Sequence, residues 1–185
     1  MTDPEQNVSS EKPTFTRESA LRLTAGGVLA VASYLAAGFL PPSVFYLAYL
    51  VALIAVAYSD LRERRIPNSI IYPAILVALG TIFRFPGWGS ALLGGAVAAL
   101  VFTVPVFIYG PERAGIGDVK LAFFIGLIFG FAMPLLWALL VGSGSAALVG
   151  LVGILLRKMS RKSLLPFGSF LALGAIALLI TQMVR

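Results

Sequence analysis

The sequence predicts an all-α, polytopic membrane bundle of about seven transmembrane helices, and three observations carry that expectation. Only 12% of the 185 residues are charged and 59% are hydrophobic, which is about half the charge of an ordinary water-facing domain. Mean hydropathy is +0.95. The apolar residues fall in continuous runs near the ~20 residues that a helix needs to cross the hydrocarbon core. These runs do not alternate in polarity, which excludes a β-barrel and leaves hydrogen-bonded helices as the spanning elements.

Residues 1–20 are polar, of mixed charge and contain two prolines. They read as a disordered cytoplasmic tail ahead of one transmembrane domain, 21–185. The tail carries more acids than bases, and the run after it belongs to the series of spans, so it does not read as a cleaved signal. Seven apolar segments follow, at roughly 22–40, 44–60, 69–84, 89–109, 119–132, 134–156 and 164–184. Pro41-Pro42 separates the first two, and Pro86-Gly87 with Trp88 marks a turn at an interface. The fifth segment is short, and Met133-Pro134 is the least marked boundary; one kinked helix over 119–156 would make the count six. Glycines at 94, 95, 126, 130, 142, 144, 150 and 153 read as close helix packing.

Orientation follows from the bases. With the N-terminus inside, Lys12, Arg17, Arg22, Arg62, Arg64, Arg65, Arg113, Lys120, Arg157, Lys158, Arg161 and Lys162 lie at inner segments or their edges, and only Arg84 and Arg185 fall outside. That bias predicts a multi-pass protein of the cytoplasmic membrane, N-terminus cytoplasmic and C-terminus external. Loop position accounts for the net charge of +6, so no nucleic-acid partner is expected.

Cysteine and histidine are absent. Disulfides, thiolate nucleophiles, Cys/His metal sites and imidazole-dependent triads are therefore excluded, and neither metal nor other cofactor is expected. Beyond the tail the acids are Asp60, Glu63, Glu112 and Asp118. Glu63 and Glu112 lie deeper in their loops beside arginines and read as solvated. Asp60 closes the second span and Asp118 opens the fifth; two crossings lie between them, so both return to the cytoplasmic face. A carboxylate at a membrane boundary is costly to ionise and tends to be protonated, paired or wet. Two held close can share one proton, the ionised member drawing a proton from water while the neutral one donates to a carbonyl oxygen. The positive end of its helix favours charge on Asp118. Gly115 and Gly117 free the backbone before it and leave room for an extended chain. The competing reading makes Asp118 a helix cap and Asp60 a partner of nearby arginines.

Together these residues resemble the type IV prepilin peptidases, the GxGD-type intramembrane aspartic proteases. GIGDVK (115–120) is similar to the GxGD-x-K motif of that family, and SDLRERRIPN (59–68) to its first-aspartate motif. LLPFGSFLALGAI (164–176) is similar to its Pro-Phe-Gly-Pro segment, with Ser169 where proline is usual. The resemblance implies that Asp60 and Asp118 are the catalytic pair and that Gly115, Gly117 and Lys120 shape the site. It makes Ile66, Pro67 and Asn68 the turn after Asp60, and Pro166, Phe167 and Gly168 structural neighbours. Ser169 is expected to touch no proton-carrying residue. The implied substrate is a prepilin or pseudopilin, a short basic leader followed by a hydrophobic helix, cut near the inner boundary of the lipid. The larger relatives carry an N-terminal cysteine-paired domain associated with methylation, so the short cysteine-free tail leads one to expect peptidase activity alone. Oligomeric state is not predicted.

Two other function classes fit parts of the pattern. A transporter or proton-coupled carrier would place acids near mid-span or repeat its spans, and neither is seen. A non-enzymatic pilus or secretion assembly protein would use the acids only as caps.

Overall fold

The computed structural model describes residues 17–85, 87–110, 115–156 and 166–184. Within them lie seven helices: α1 (Arg17–Ala36), α2 (Pro42–Glu63), α3 (Asn68–Ile82), α4 (Trp88–Tyr109), α5 (Ile116–Phe129), α6 (Met133–Leu155) and α7 (Phe167–Met183). No strand occurs among the described residues. Helix α1 begins at Arg17, inside the segment expected to be tail, and residues 1–16 of that tail lie outside the described residues. Helix α2 runs on to Glu63, past the expected end of its span.

The boundaries have local causes. Pro42 opens α2, where its missing N–H and fixed φ cost nothing. Arg64 closes the same helix in the left-handed region, at φ 53°, with its N–H on the Asp60 carbonyl at 2.8 Å. Pro67 holds extended backbone immediately before α3. The uncertain boundary near residue 133 is a true break. Gly130 takes φ 66° and the Phe131 N–H leaves the helical ladder for the Ser90 carbonyl at 2.8 Å, with the Ser90 hydroxyl oxygen at 3.0 Å. With Pro134 then opening α6, the stretch folds as two helices rather than one kinked helix.

Helix α5 is the hub. It packs on α3, α4, α6 and α7, while α2 packs on α3 and α7, and α1 on α3. Leu121, Ala122, Phe124, Ile125 and Leu127 of α5 are fully buried, with Leu53 and Val56 of α2, Ile71 of α3, and Leu171, Ala175 and Leu179 of α7 around them. Glycines set how closely the backbones approach. A Cβ on Gly126 would lie 2.5 Å from the Gly95 Cα on α4, and one on Gly142 2.7 Å from the Leu171 Cα on α7. Gly144 has open space around it. Outward, the chain is apolar instead of polar: Leu100, Val104 and Phe107 on α4, and Leu140, Leu148 and Leu155 on α6, are exposed. Such a surface is stable against lipid, not water. Helices α2, α4 and α6 are long and apolar enough to cross a bilayer, and the chain is a multi-pass helical membrane protein.

The helices alternate in direction, so the C-terminal ends of α2, α4 and α6 share one end of the bundle with the N-terminal ends of α3, α5 and α7. Asp60, Arg62, Arg64, Arg65, Asp118 and Lys120 belong to that end; Arg84 belongs to the other. At the other end α3 and α5 stop short, and a cavity of about 380 Å³ opens between Phe45, Tyr49, Thr81, Phe85, Trp88 and Phe129.

Candidate active site

Asp60 lies in the last turn of α2 and is only 5% exposed. A buried carboxylate demands hydrogen-bond donors, and its donors come from the far end of the chain. The Ser169 N–H donates to Asp60 Oδ2 at 2.6 Å, and the Ser169 hydroxyl to the same oxygen at 2.9 Å. Ser169 is in the first turn of α7, where backbone N–H groups have no partner within the helix. Asp60 therefore caps α7 from another helix, and the positive end of α7 faces its charge. The same hydroxyl lies 3.0 Å from the Ala57 carbonyl oxygen, nearly one turn back along α2.

Asp118 occupies the first turn of α5, half-buried, its own N–H bonded to the Gly115 carbonyl at 3.0 Å. The two carboxylates meet at Gly168. A Cβ placed there would lie 3.2 Å from Asp118 Oδ1 and 3.2 Å from Asp60 Oδ2. The two oxygens are therefore no more than twice that distance, 6.4 Å, apart. Glycine is needed at 168 because any side chain would stand between them. Gly168→Val is expected to lower any activity of the pair by about a hundredfold, since a displacement near 1 Å suffices for that, and to lower the unfolding temperature as well, because its side chain overpacks a buried site against Ile66. A valine variant with unaltered turnover would show that the space between the carboxylates is not used.

The remaining residues picked out in the sequence assemble around this point. The Ile66 side chain fits between Gly117 and Gly168, 3.0 Å from a Cβ on the first and 2.9 Å from one on the second. Gly115 lies beside Asp118, its would-be Cβ 3.1 Å from Oδ2. Lys120 Nζ donates to Asn68 Oδ1 at 2.8 Å and sits 4.6 Å from the Tyr72 ring centroid. That bond ties the start of α5 to the start of α3, and so one aspartate motif to the other. Pro67 precedes α3, Pro166 precedes α7, and the Phe167 ring packs on Phe102 of α4 with centroids 5.8 Å apart. Pro166 and Phe167 thus hold the end of α7 without touching either carboxylate among the described contacts. Because the Lys120–Asn68 bond is solvent-exposed, Lys120→Met and Asn68→Ala should each cost under about 1 kcal/mol. The double variant should cost no more than either single one, and a thermal-unfolding double-mutant cycle reads that coupling.

Ser169 is the correction. The sequence suggested that this position touches no proton-carrying residue, yet both its donors reach Asp60. The helix-end argument that favoured charge on Asp118 applies with more force to Asp60, where those donors land. The missed signal was the position itself: a serine in a first helical turn offers two donors where proline offers none. Glu63 is exposed at the end of α2, and Glu112 lies outside the described residues.

Fold and site together define a multi-pass helical membrane protein with a carboxylate pair assembled at one end from three helices. The model of the type IV leader peptidase family matches residues 47–178, from α2 into α7, and the chain belongs to that family. Among curated relatives, the prepilin leader peptidase/N-methyltransferase of Bacillus subtilis (strain 168) is 30% identical over 133 residues, 69% of this chain and 52% of that protein. The protein of the same name from Aeromonas hydrophila is 33% identical over 167 residues, 85% of this chain and 56% of that protein. The one from Burkholderia pseudomallei (strain K96243) is 31% identical over 139 residues, 69% and 43% respectively. The chain spans about half the length of the curated relatives it matches. No solved structure matches.

Proposed function

We infer that this chain is an intramembrane aspartic endopeptidase that removes the short basic leader of prepilins or pseudopilins at the cytoplasmic face of the membrane. The observation that carries the reading is the meeting of Asp60 and Asp118 across Gly168. Two negative charges within that distance repel by about 3 kcal/mol at an effective dielectric near 20, so the pair favours holding one proton. The two Ser169 donors stabilise the negative form of Asp60. Asp60 then takes a proton from the attacking water, while Asp118 gives its own to the oxygen of the scissile carbonyl. The water oxygen bonds to the carbonyl carbon, the C–N bond breaks, and the amine leaves with a proton returned by the pair.

Membrane depth supports the substrate class. Both acids sit at helix termini, and arginines 62, 64 and 65 follow Asp60 in the chain. Positive residues at that end support a cytoplasmic placement, and a leader in water joined to a helix in lipid would present its junction at this level. The names of the relatives supply the class of leader.

The test is cleavage of a synthetic prepilin by the purified protein in detergent, with products sized by mass spectrometry. A single cut between leader and hydrophobic segment is expected. An intact substrate with wild-type protein, or one cut inside the hydrophobic helix, would defeat the reading.

A further inference from the structure

The hydroxyl of Ser169 has one proton and two acceptors within reach, Asp60 Oδ2 at 2.9 Å and the Ala57 carbonyl at 3.0 Å. The residue is 1% exposed, so water does not compete for that proton. Its N–H, meanwhile, is committed to Asp60 Oδ2 at 2.6 Å. We propose that Ser169 is the positioning residue of the acid pair, its N–H fixing the Asp60 carboxylate and its hydroxyl turning between Asp60 and Ala57 as Asp60 loses and gains a proton. This rests on the reading of Asp60 and Asp118 as the reacting groups.

When Asp60 is negative, the hydroxyl points at it and adds a second donor to Oδ2. When Asp60 has taken a proton from water, a donor aimed at it is no longer needed. The hydroxyl then turns about its C–O bond to the Ala57 carbonyl, and its oxygen is free to accept from the protonated acid. A rotation of one hydrogen thus satisfies both states, with no heavy atom displaced. The Ala57 carbonyl is the part that makes this work, because without it the turned hydroxyl would be buried and unpaired. Proline at this position offers neither donor, so the arrangement belongs to this chain's serine and not to the motif as such. Ser169 touches the acid and not the substrate, which makes its role one of positioning.

Three variants and two readouts test this. Ser169→Ala keeps the N–H and loses the hydroxyl; Ser169→Thr keeps both donors; Ser169→Pro loses both, at a first-turn position where that N–H has no helical role. With a synthetic prepilin, kcat of Ser169→Ala should fall about tenfold with KM within about twofold, the scale of one charge-assisted hydrogen bond. Ser169→Thr should restore most of the loss, and Ser169→Pro should be no faster than Ser169→Ala. The second readout is the infrared carboxylate band of Asp60, isolated as the difference from Asp60→Asn, which should move in Ser169→Ala and return in Ser169→Thr. Wild-type kcat in Ser169→Ala, a loss expressed in KM alone, or an unmoved band would overturn the proposal while Asp60→Asn stayed inactive. Equal cleavage by wild type and Asp60→Asn would instead remove the acid-pair reading, and the proposal with it.

Discussion

Asp60→Asn and Asp118→Asn are each expected to reduce kcat for prepilin cleavage by at least about a thousandfold. General acid and general base catalysis each contribute on the order of 10²–10⁴, and here the two roles share one proton. Removing either carboxyl removes both functions, because an amide neither takes the proton from water nor passes it on. The losses should therefore not add. Asp60→Asn/Asp118→Asn is expected to be no slower than either single variant, as happens when residues act as a unit. KM should change little, since neither acid is asked to hold the leader. Asparagine is nearly isosteric and preserves the contacts of Ser169 through its side-chain oxygen, so folding should persist. Equal turnover by any of the three variants and wild type would rule out the acid pair.

Gly126→Ala is expected to be strongly destabilising for a single added methyl, by about 3 kcal/mol. Its added carbon would lie 2.5 Å from the Gly95 Cα and against the Gly94 carbonyl. The obstacle is backbone on a neighbouring helix, which no rotamer change can move aside. Overpacking of a close-packed site costs about 1–3 kcal/mol, and a collision with backbone belongs at the upper end. Helix association in lipid lacks a hydrophobic driving force and depends on close backbone approach, so α4 must part from α5 along much of its length. Gly144→Ala is the control: the same chemical change, one helix away, meets open space and should be neutral or slightly stabilising. Unfolding temperatures in detergent that agree for the two variants would mean that the α4–α5 contact does not limit stability.

The helices were readable in the sequence because lipid imposes a requirement that each run meets by itself: enough consecutive apolar residues and internally satisfied backbone. The acid pair was readable for a related reason, since Asp60 and Asp118 are two of very few acids beyond the tail and parity of crossings puts them at one end. What the chain did not disclose depends on helix rotation. Whether Gly168 or Phe167 faces the carboxylates is a matter of about 100° around α7, and in an almost uniformly apolar helix no polarity pattern fixes that angle. The hydrogen bonds of Ser169 were hidden by the same uniformity. The break between α5 and α6 was ambiguous because Met133-Pro134 marks only a helix start; the stop lies in the positive φ of Gly130 and in the Phe131–Ser90 bond, a contact with α4.

The capping of α7 by Asp60 has a consequence for how the protein matures. Membrane helices enter the bilayer in order of synthesis, and α2 and α5 precede α7. Until α7 arrives, Asp60 lacks both Ser169 donors and Gly168 is not there to set the gap. An unfinished chain therefore holds both acids but not their arrangement. If the acid pair is the reacting site, competence comes only with the insertion of α7, and a nascent chain that still lacks α7 is latent.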